Sequence, residues 1–229
     1  VSELYALKRK TFPSPLYTLD AGIVAVSVEP TVENLLEAYS FGIFPWPHEG
    51  MPLLWFCPDQ RGVLDFSEFH VSKKLRKELQ KAAFTYSWDR NFSQVMRGCQ
   101  QAARAGESGT WITDELIEAY ERFHAAGYAH SVEVWQGADL VGGLYGVYVA
   151  GVFSAESMFF KVSPASKAAV VFCVEFLKGE GLEWMDVQMV SAVSKQFGAK
   201  YISKNDFLRR LEREKKKARA IFPAASQKR

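Results

Sequence analysis

Cysteine is scarce in this 229-residue chain: Cys57, Cys99 and Cys173 stand far apart, with no close pair among them. That spacing excludes a zinc cluster and a disulfide framework, and it fits isolated thiols in a reducing compartment. Histidine is nearly as sparse, and His48, His70, His124 and His130 show no metal-binding interval. There is no Gly-x-Ser-x-Gly elbow and no phosphate-cradling Walker loop. Internal repeats and low-complexity blocks are missing too. No run of about 18 apolar residues exists, so no membrane-spanning helix is expected. The longest candidate, Ala168 to Leu177, is short and carries Glu175. The start, Val1 to Lys10, lacks an apolar core and contains Lys8, Arg9 and Lys10, which is unlike a secretory leader. A start without Met is expected to reflect processing or trimming. Together these absences point to a cytoplasmic chain with no membrane contact.

What is present is ordinary for a soluble globular protein, with 48% hydrophobic and 24% charged residues. The 14% aromatic content excludes dominant disorder, because such a chain has ample apolar surface to bury. The length suits one large domain, or a main domain with a smaller lobe. The net charge of +2 hides an asymmetry. From Arg209 onward nine basic residues stand against two acidic ones, so that stretch carries +7 and residues 1–208 carry −5. A second basic cluster holds Lys73, Lys74, Arg76, Lys77 and Lys81, broken only by Glu78. Such clusters attract polyanions by counterion release, although a solvated helix face is the plainer reading of any one charge run.

Hydropathy patterning mixes helix and strand. Gly22 to Val26 reads as a strand, and Thr31 can cap a helix that stops at Gly42. Two prolines then pin the aromatic loop Phe41-Gly42-Ile43-Phe44-Pro45-Trp46-Pro47. Leu53 to Phe56 and Val63 to Phe66 read as strands around the turn Pro58-Asp59-Gln60-Arg61. Val71, Leu75 and Leu79 recur at helical spacing, with the lysine cluster facing away from them. Phe84 to Trp88 predicts a strand, and Phe92, Val95, Met96 and Cys99 a helical stripe. Gly106 to Thr110 predicts a loop, after which Thr113 caps a helix. Ala129 to Phe160 predicts three consecutive strands. Ser163-Pro164 predicts a helix through Leu177 with Pro at its first position. A strand at Leu182 to Gln188, a short helix ending at Gly198 and an edge strand at Tyr201-Ile202 follow. Asn205 is expected to cap a last amphipathic helix.

Four constellations could carry chemistry. The loop around Trp46 and the segment Gly109-Thr110-Trp111-Ile112-Thr113 offer rings that could stack a nucleobase or pack a core. In Ser154-Ala155-Glu156-Ser157-Met158-Phe159, strict alternation places Ser154, Glu156 and Met158 on one face. A carboxylate among apolar strand residues either pairs with a structural cation or waits for a cationic ligand. In Asp186-Val187-Gln188, period two puts Asp186 and Gln188 on one face at a strand's end, a combination suited to positioning an amine.

In their order and spacing these segments resemble the leucyl/phenylalanyl-tRNA–protein transferases, from about Leu19 to Leu211. The match runs through Leu35-Leu36-Glu37-Ala38-Tyr39, Gly42-Ile43-Phe44-Pro45-Trp46, Leu54-Trp55 and Pro58-Asp59. It continues in Gly109-Thr110-Trp111-Ile112-Thr113, Ala119-Tyr120, Ala129-His130-Ser131-Val132-Glu133-Val134-Trp135 and Leu140-Val141-Gly142-Gly143-Leu144-Tyr145-Gly146-Val147. Glu156-Ser157-Met158-Phe159, Ala165-Ser166-Lys167, Asp186-Val187-Gln188 and Phe197-Gly198-Ala199 complete it. The expected fold is α+β: a small N-terminal lobe over residues 1–65 and a larger N-acyltransferase (GNAT-like) domain over residues 66–229, with a mixed, mainly antiparallel sheet.

The resemblance implies transfer of Leu or Phe from aminoacyl-tRNA to the α-amine of a protein that begins with Lys or Arg, marking that protein for degradation. An aminoacyl ester is already activated, so no cofactor or metal is expected. The expected partners are aminoacyl-tRNA and the acceptor's N-terminus, and the chain is expected to act as a monomer. On this reading Asp186 acts through Gln188 to orient the amine and draw off its proton, and Glu156 holds the cationic acceptor terminus. Tyr39, Trp46 and Trp111 stack or brace the terminal adenosine. Leu144, Phe153, Met158, Phe172, Phe176 and Met185 form the amino-acid pocket. Lys73, Lys74, Arg76 and Lys77 contact the tRNA backbone. Three departures from the family pattern stand out: Ser191 in place of Asn, Val193 in place of His, and Ser27-Val28 in place of a glycine pair. Three rivals remain. A CoA-dependent N-acetyltransferase would need a pyrophosphate loop where Ser163-Pro164-Ala165-Ser166-Lys167 stands. The others are a tRNA-binding module and a related transferase with altered amino-acid or acceptor specificity.

Overall fold

A computed structural model describes residues 10–48, 50–102 and 111–222. The loop expected at Gly106 to Thr110 and the terminal Lys228 and Arg229 lie outside these residues. In chain order, strand β1 (Ile23–Val26) leads to helix α1 (Val32–Ser40), then to β2 (Phe44–Trp46), β3 (Leu54–Phe56) and β4 (Gln60–Asp65). Helix α2 (Lys73–Ala82), β5 (Thr85–Trp88), α3 (Phe92–Gln101) and α4 (Asp114–Ala125) follow. Next come β6 (Ala129–Gln136), β7 (Asp139–Val149), β8 (Val152–Phe160), α5 (Ala165–Gly179) and β9 (Trp184–Gln188). A short helix α6 (Ala192–Gln196), β10 (Lys200–Ser203) and α7 (Lys204–Lys215) close the series.

The strands form two sheets, a small one in the order β1-β3-β2 and a seven-stranded one in the order β10-β4-β9-β8-β7-β6-β5. All pairs are antiparallel except β8 with β9, joined by the crossover helix α5. The result is a mixed α+β protein with one large, mostly antiparallel sheet and a small N-terminal part. Strands β3 and β4 do not pair around their connection. β3 is the middle strand of the small sheet, while β4, which begins at Gln60 inside the expected turn, crosses into the large one.

Successive residues of the central strands feed two apolar clusters, as the pleat requires. Val63, Tyr145, Val147 and Trp184 belong to one, which also takes in α1, α3, α4 and the small sheet. Their neighbours Leu64, Leu144, Phe153 and Met185 belong to the other, which α5 and Leu75 of α2 cover. Two helix starts differ from expectation. Pro164 is the N-cap of α5, not its first residue, since its carbonyl already accepts from Ala168 N at 3.0 Å. Ser203, not Asn205, caps α7, accepting from Asp206 N at 3.1 Å.

Glu133 on β6 is a charged side chain with no exposed surface. It accepts from Ser87 Oγ and Ser131 Oγ, each at 2.6 Å, and from the backbone of Arg90 and Asn91 at 3.3 and 3.2 Å. Those two amides lead into α3, so the carboxylate also faces a helix N-terminus. Glu133→Ala strands these donors. A loss of about 3 kcal/mol at a slope of about 2 kcal/mol/M lowers the urea midpoint by roughly 1.5 M, with partial recovery in Glu133→Gln.

Candidate active site

Five elements meet where β8 and β9 run side by side. Their paired position is Ser154 opposite Asp186. Just past it, β8 carries a bulge: Gly146 opposes Ala155 and Tyr145 opposes Ser157, leaving Glu156 as the extra residue. The bulge keeps Glu156 on the face of α1 and α4 and turns Met158 to the opposite face beside Leu144. Strict alternation, which put Glu156 and Met158 together, fails here for that reason.

Helix α1 starts at its Thr31 cap and buries Leu35, Ala38 and Tyr39. The Tyr39 hydroxyl donates to Glu156 Oε1 at 2.7 Å and also meets the hydroxyl of Tyr120 from α4. From β9, Gln188 Nε2 donates to the same Oε1 at 2.8 Å. Gln188 holds a left-handed backbone, φ +50°, costly for a residue with a side chain. Its backbone N–H donates to Asp186 Oδ1 at 2.9 Å, which helps hold that conformation.

Asp186 has no exposed surface and is fully engaged. Arg61 of β4 donates from Nε to Oδ1 at 2.9 Å and from Nη2 to Oδ2 at 2.7 Å, a bidentate pair. Ser154 Oγ adds a bond to Oδ2 at 3.1 Å. The Arg61 guanidinium lies between the rings of Phe44 and Phe207, 4.5 Å from each centroid, and its Nη1 donates to Gly42 O at 3.1 Å. One cation therefore ties the large sheet and α7 to the segment Gly42 to Trp46, which was expected as a loop but forms strand β2 from Phe44 by pairing with β3. Gly42 has φ +76°, and a Cβ there would lie 2.7 Å from the Phe207 ring. Only glycine fits that corner.

Burial pushes the Glu156 carboxyl up to about 8, and the nearby Asp186 charge adds to it. The Tyr39 and Gln188 hydrogen bonds and the Arg61 charge pull the other way. Burial likewise holds the Tyr39 and Tyr120 hydroxyls well above the usual phenol range, so both stay protonated. The site thus presents a carboxyl that is mostly neutral at pH 7. The Gln188 amide nitrogen is committed to Glu156, and its amide oxygen is an acceptor by chemistry.

Asp89, His124 and His130 also converge, with potential metal-ligating atoms within 4.8 Å of one another. His130 Nδ1 sits 2.7 Å from Asp89 Oδ2, and His124 Nδ1 sits 2.7 Å from Ala129 O. Asp89 also accepts from Ser131 N at 2.8 Å. These bonds fasten the turn after β5 to β6. Sequence spacing alone gives no hint of the grouping.

A family model described as leucyl/phenylalanyl-tRNA protein transferase matches residues 63–212, and one for the N-terminal domain of the same proteins matches residues 29–59. The chain belongs to this family. A leucyl/phenylalanyl-tRNA–protein transferase of Solidesulfovibrio magneticus is 44% identical over 201 residues, covering 88% of this chain and 81% of the relative. One from Oleidesulfovibrio alaskensis is 44% identical over 216 residues, 92% and 87% of the two chains. One from Flavobacterium johnsoniae is 43% identical over 204 residues, 89% and 96%. The chain is accordingly an aminoacyltransferase enzyme.

Within this transferase the expected site residues fall into four groups. Tyr39, Glu156, Asp186 and Gln188 form the continuous hydrogen-bonded chain just described. Trp46 and Trp111, both partly exposed, border the same apolar cluster as Tyr39, and Trp46 also meets Phe56 at 5.4 Å and His48 at 4.9 Å. Leu144, Phe153, Met158, Phe172, Phe176 and Met185 share the second cluster, across the sheet from Glu156. Leu144, Phe153 and Met185 are buried there, and Met158, Phe172 and Phe176 are partly buried. Lys73, Lys74, Arg76 and Lys77 are all exposed on α2.

Two departures from the family pattern have structural accounts. Ser191 caps α6 with a reciprocal Ser194 bond, work that Asn does equally well. Ser27 keeps a glycine-like backbone, φ +59°. Val193 has no such account. Sequence reading missed Arg61 and gave Tyr120, which lies in the matched Ala119-Tyr120 segment, no role in the site. The available signal for Arg61 was a lone guanidinium opening an apolar strand, in a chain with an equally isolated Asp in the apolar strand before Gln188.

Proposed function

We propose that this transferase moves Leu or Phe from aminoacyl-tRNA onto the α-amine of proteins that begin with Lys or Arg, forming a peptide bond that marks them for degradation. The observation that carries the reading is the Glu156–Gln188 hydrogen bond across β8 and β9, with Asp186 fixing the Gln188 backbone beneath it. The α-amine has a reference pKa of about 7.7–8, so a useful fraction is free at neutral pH. The Gln188 amide oxygen accepts from that amine and aims it at the ester carbonyl; as the new C–N bond forms, the ester C–O bond breaks, and the departing 3′-oxygen of the tRNA takes the proton that the amine gives up. Orientation of this kind supplies roughly 7–11 kcal/mol in favourable cases. Asp186, held on both oxygens by Arg61, acts through Gln188. Ionised Glu156 faces the cationic terminus. Trp46 and Trp111 stack the terminal adenosine; Tyr39, expected beside them, is buried with its hydroxyl on Glu156 and Tyr120 and braces that carboxyl instead. The six apolar residues on the other face take the Leu or Phe side chain, reached past the single bridge between β8 and β9. The parallel β8–α5–β9 crossover supports an N-acyltransferase arrangement of the large sheet, and the family's substrates support a cytoplasmic location.

A transfer assay with radiolabelled leucyl- and phenylalanyl-tRNA tests this. Peptides beginning with Lys, Arg, Asp or Ala serve as acceptors, and acetyl-CoA as a control donor. Product from Lys and Arg peptides alone is expected. Binding of tRNA with no product from any peptide refutes the transfer.

The exposed face of α2 supports a tRNA contact. Reversing Lys73, Lys74, Arg76 and Lys77 to Glu should weaken aminoacyl-tRNA binding and reduce the slope of log K against log salt by about 0.7–0.9 per lost phosphate contact. An unaltered slope removes α2 from the interface.

A further inference from the structure

The segment after α7 lies beyond the part of the chain matched by the family, which ends at residue 212. Its charge fits polyanion attraction or a solvated face, yet Lys216 to Phe222 is docked on the protein. Gly151, in the β7–β8 turn at φ +78°, admits the Glu214 carbonyl where a Cβ would stand 2.6 Å away. Tyr148 donates its hydroxyl to Arg219 O at 3.0 Å. Ala218, Ile221 and Phe222 are buried.

Phe222 ends this path in a box of rings. It stacks on His130 with centroids 3.6 Å apart and planes 12° from parallel. It also meets Trp88 at 5.0 Å, Phe176 at 5.4 Å and Phe153 at 6.3 Å. Trp88 in turn touches Phe172 and Phe176, at 6.1 and 4.8 Å. Three of the six residues assigned above to the amino-acid pocket therefore pack on Phe222 or on its neighbour Trp88.

We propose that Phe222 is a specificity-determining residue, forming the inner wall of the amino-acid pocket and so setting the size of aminoacyl side chain the enzyme accepts. The inference rests on the pocket assignment made under the proposed function. Rings held on several sides by other rings have little room to shift, so a change of volume at 222 passes to the space beside Phe153 and Phe176. Hydrophobic pockets discriminate by volume, about 10–200-fold per methylene. The wall comes from the segment after α7, which contacts none of Glu156, Gln188 and Asp186 on the other face through the bonds and rings described, so its size can vary with little effect on that chain.

The test measures kcat/KM for leucyl- and phenylalanyl-tRNA with a Lys-initiated peptide, in the wild type, Phe222→Ala, Phe222→Leu and Phe222→Trp. The smaller residues should raise the phenylalanyl-to-leucyl ratio by about tenfold, and Trp should lower it by a similar factor. Thermal melts of the same variants separate loss of folded protein, which scales both donors alike, from a change of ratio. Phe222→Leu keeps the site filled if Phe222→Ala fails to fold. A ratio within twofold of wild type in both Phe222→Leu and Phe222→Trp overturns the proposal while leaving the transferase reading intact. A wild type that transfers neither amino acid overturns both.

Discussion

Arg61→Leu should be among the most damaging single changes to this protein. It leaves Asp186 as a buried carboxylate with no counter-charge, a loss of about 3–5 kcal/mol. It also removes the cation seated between Phe44 and Phe207, and with it the link from the aromatic loop to the sheet. Urea unfolding should show a midpoint lower by about 2 M, taking a slope of about 2 kcal/mol/M. Asp186→Ala should cost a similar amount by stranding the guanidinium. The double replacement Arg61→Leu/Asp186→Leu should recover much of the stability, because two apolar groups no longer need each other. Turnover separates support from chemistry. At a temperature where each variant is folded, Asp186→Ala should lower transfer by about 100-fold, the effect of misplacing an attacking group by about 1 Å. Binding of aminoacyl-tRNA should change only a few-fold. Near wild-type transfer in Asp186→Ala, or a double variant no more stable than the singles, contradicts this account.

Glu156→Gln should give the largest pH effect. The folded carboxyl titrates at about 8 against an ordinary 4.5, chiefly through burial. Between those values the folded protein keeps a proton that the unfolded chain has released. Folding stability from this group therefore falls as pH climbs from about 4.5 to about 8. Gln cannot ionise, so the variant should melt several degrees above wild type at pH 8.5, at about 2–4 °C per kcal/mol, and level with it near pH 4. Transfer should move oppositely. KM of the wild type for a Lys-initiated peptide should drop as pH rises through about 8, whereas in Glu156→Gln it should stay high with a shallow profile. Equal melting temperatures at pH 8.5 would sink the electrostatic argument, and parallel KM profiles would remove Glu156 from acceptor recognition. The buried carboxyl is thus a local sacrifice of stability that a cationic ligand can relieve.

Most of the secondary structure was readable from local pattern. The Thr31 and Thr113 caps, the helical stripe from Phe92 to Cys99 and the three strands between Ala129 and Phe160 appear where hydropathy placed them. The exceptions have particular causes. Pro164 looked like a first helical residue because it precedes a long apolar run, but its carbonyl already accepts an intrahelical bond. The turn around Pro58 looked like a hairpin because two apolar runs flank it, yet β4 leaves for the other sheet, where β9 and β10 need a partner. The tail after Arg213 looked solvated because its charge outweighs its few apolar residues, although Ala218, Ile221 and Phe222 suffice to dock it.

By itself the sequence determined the α+β class and the family, and it singled out Asp186 with Gln188, Glu156, and Tyr39 as separate candidates without showing that they join. These follow from periodicity and from motif order, and both are local properties of the chain. Only the tertiary structure decided which cation Asp186 meets, 125 residues away at Arg61. The same holds for the face taken by Met158 after the bulge and for the aromatic residue closing the box beside Phe176. A bulge reverses every later side chain on its strand, and a buried charge pairs with whatever the fold delivers to it. Register and long-range pairing set both outcomes, and neither leaves a trace in the spacing of neighbouring residues.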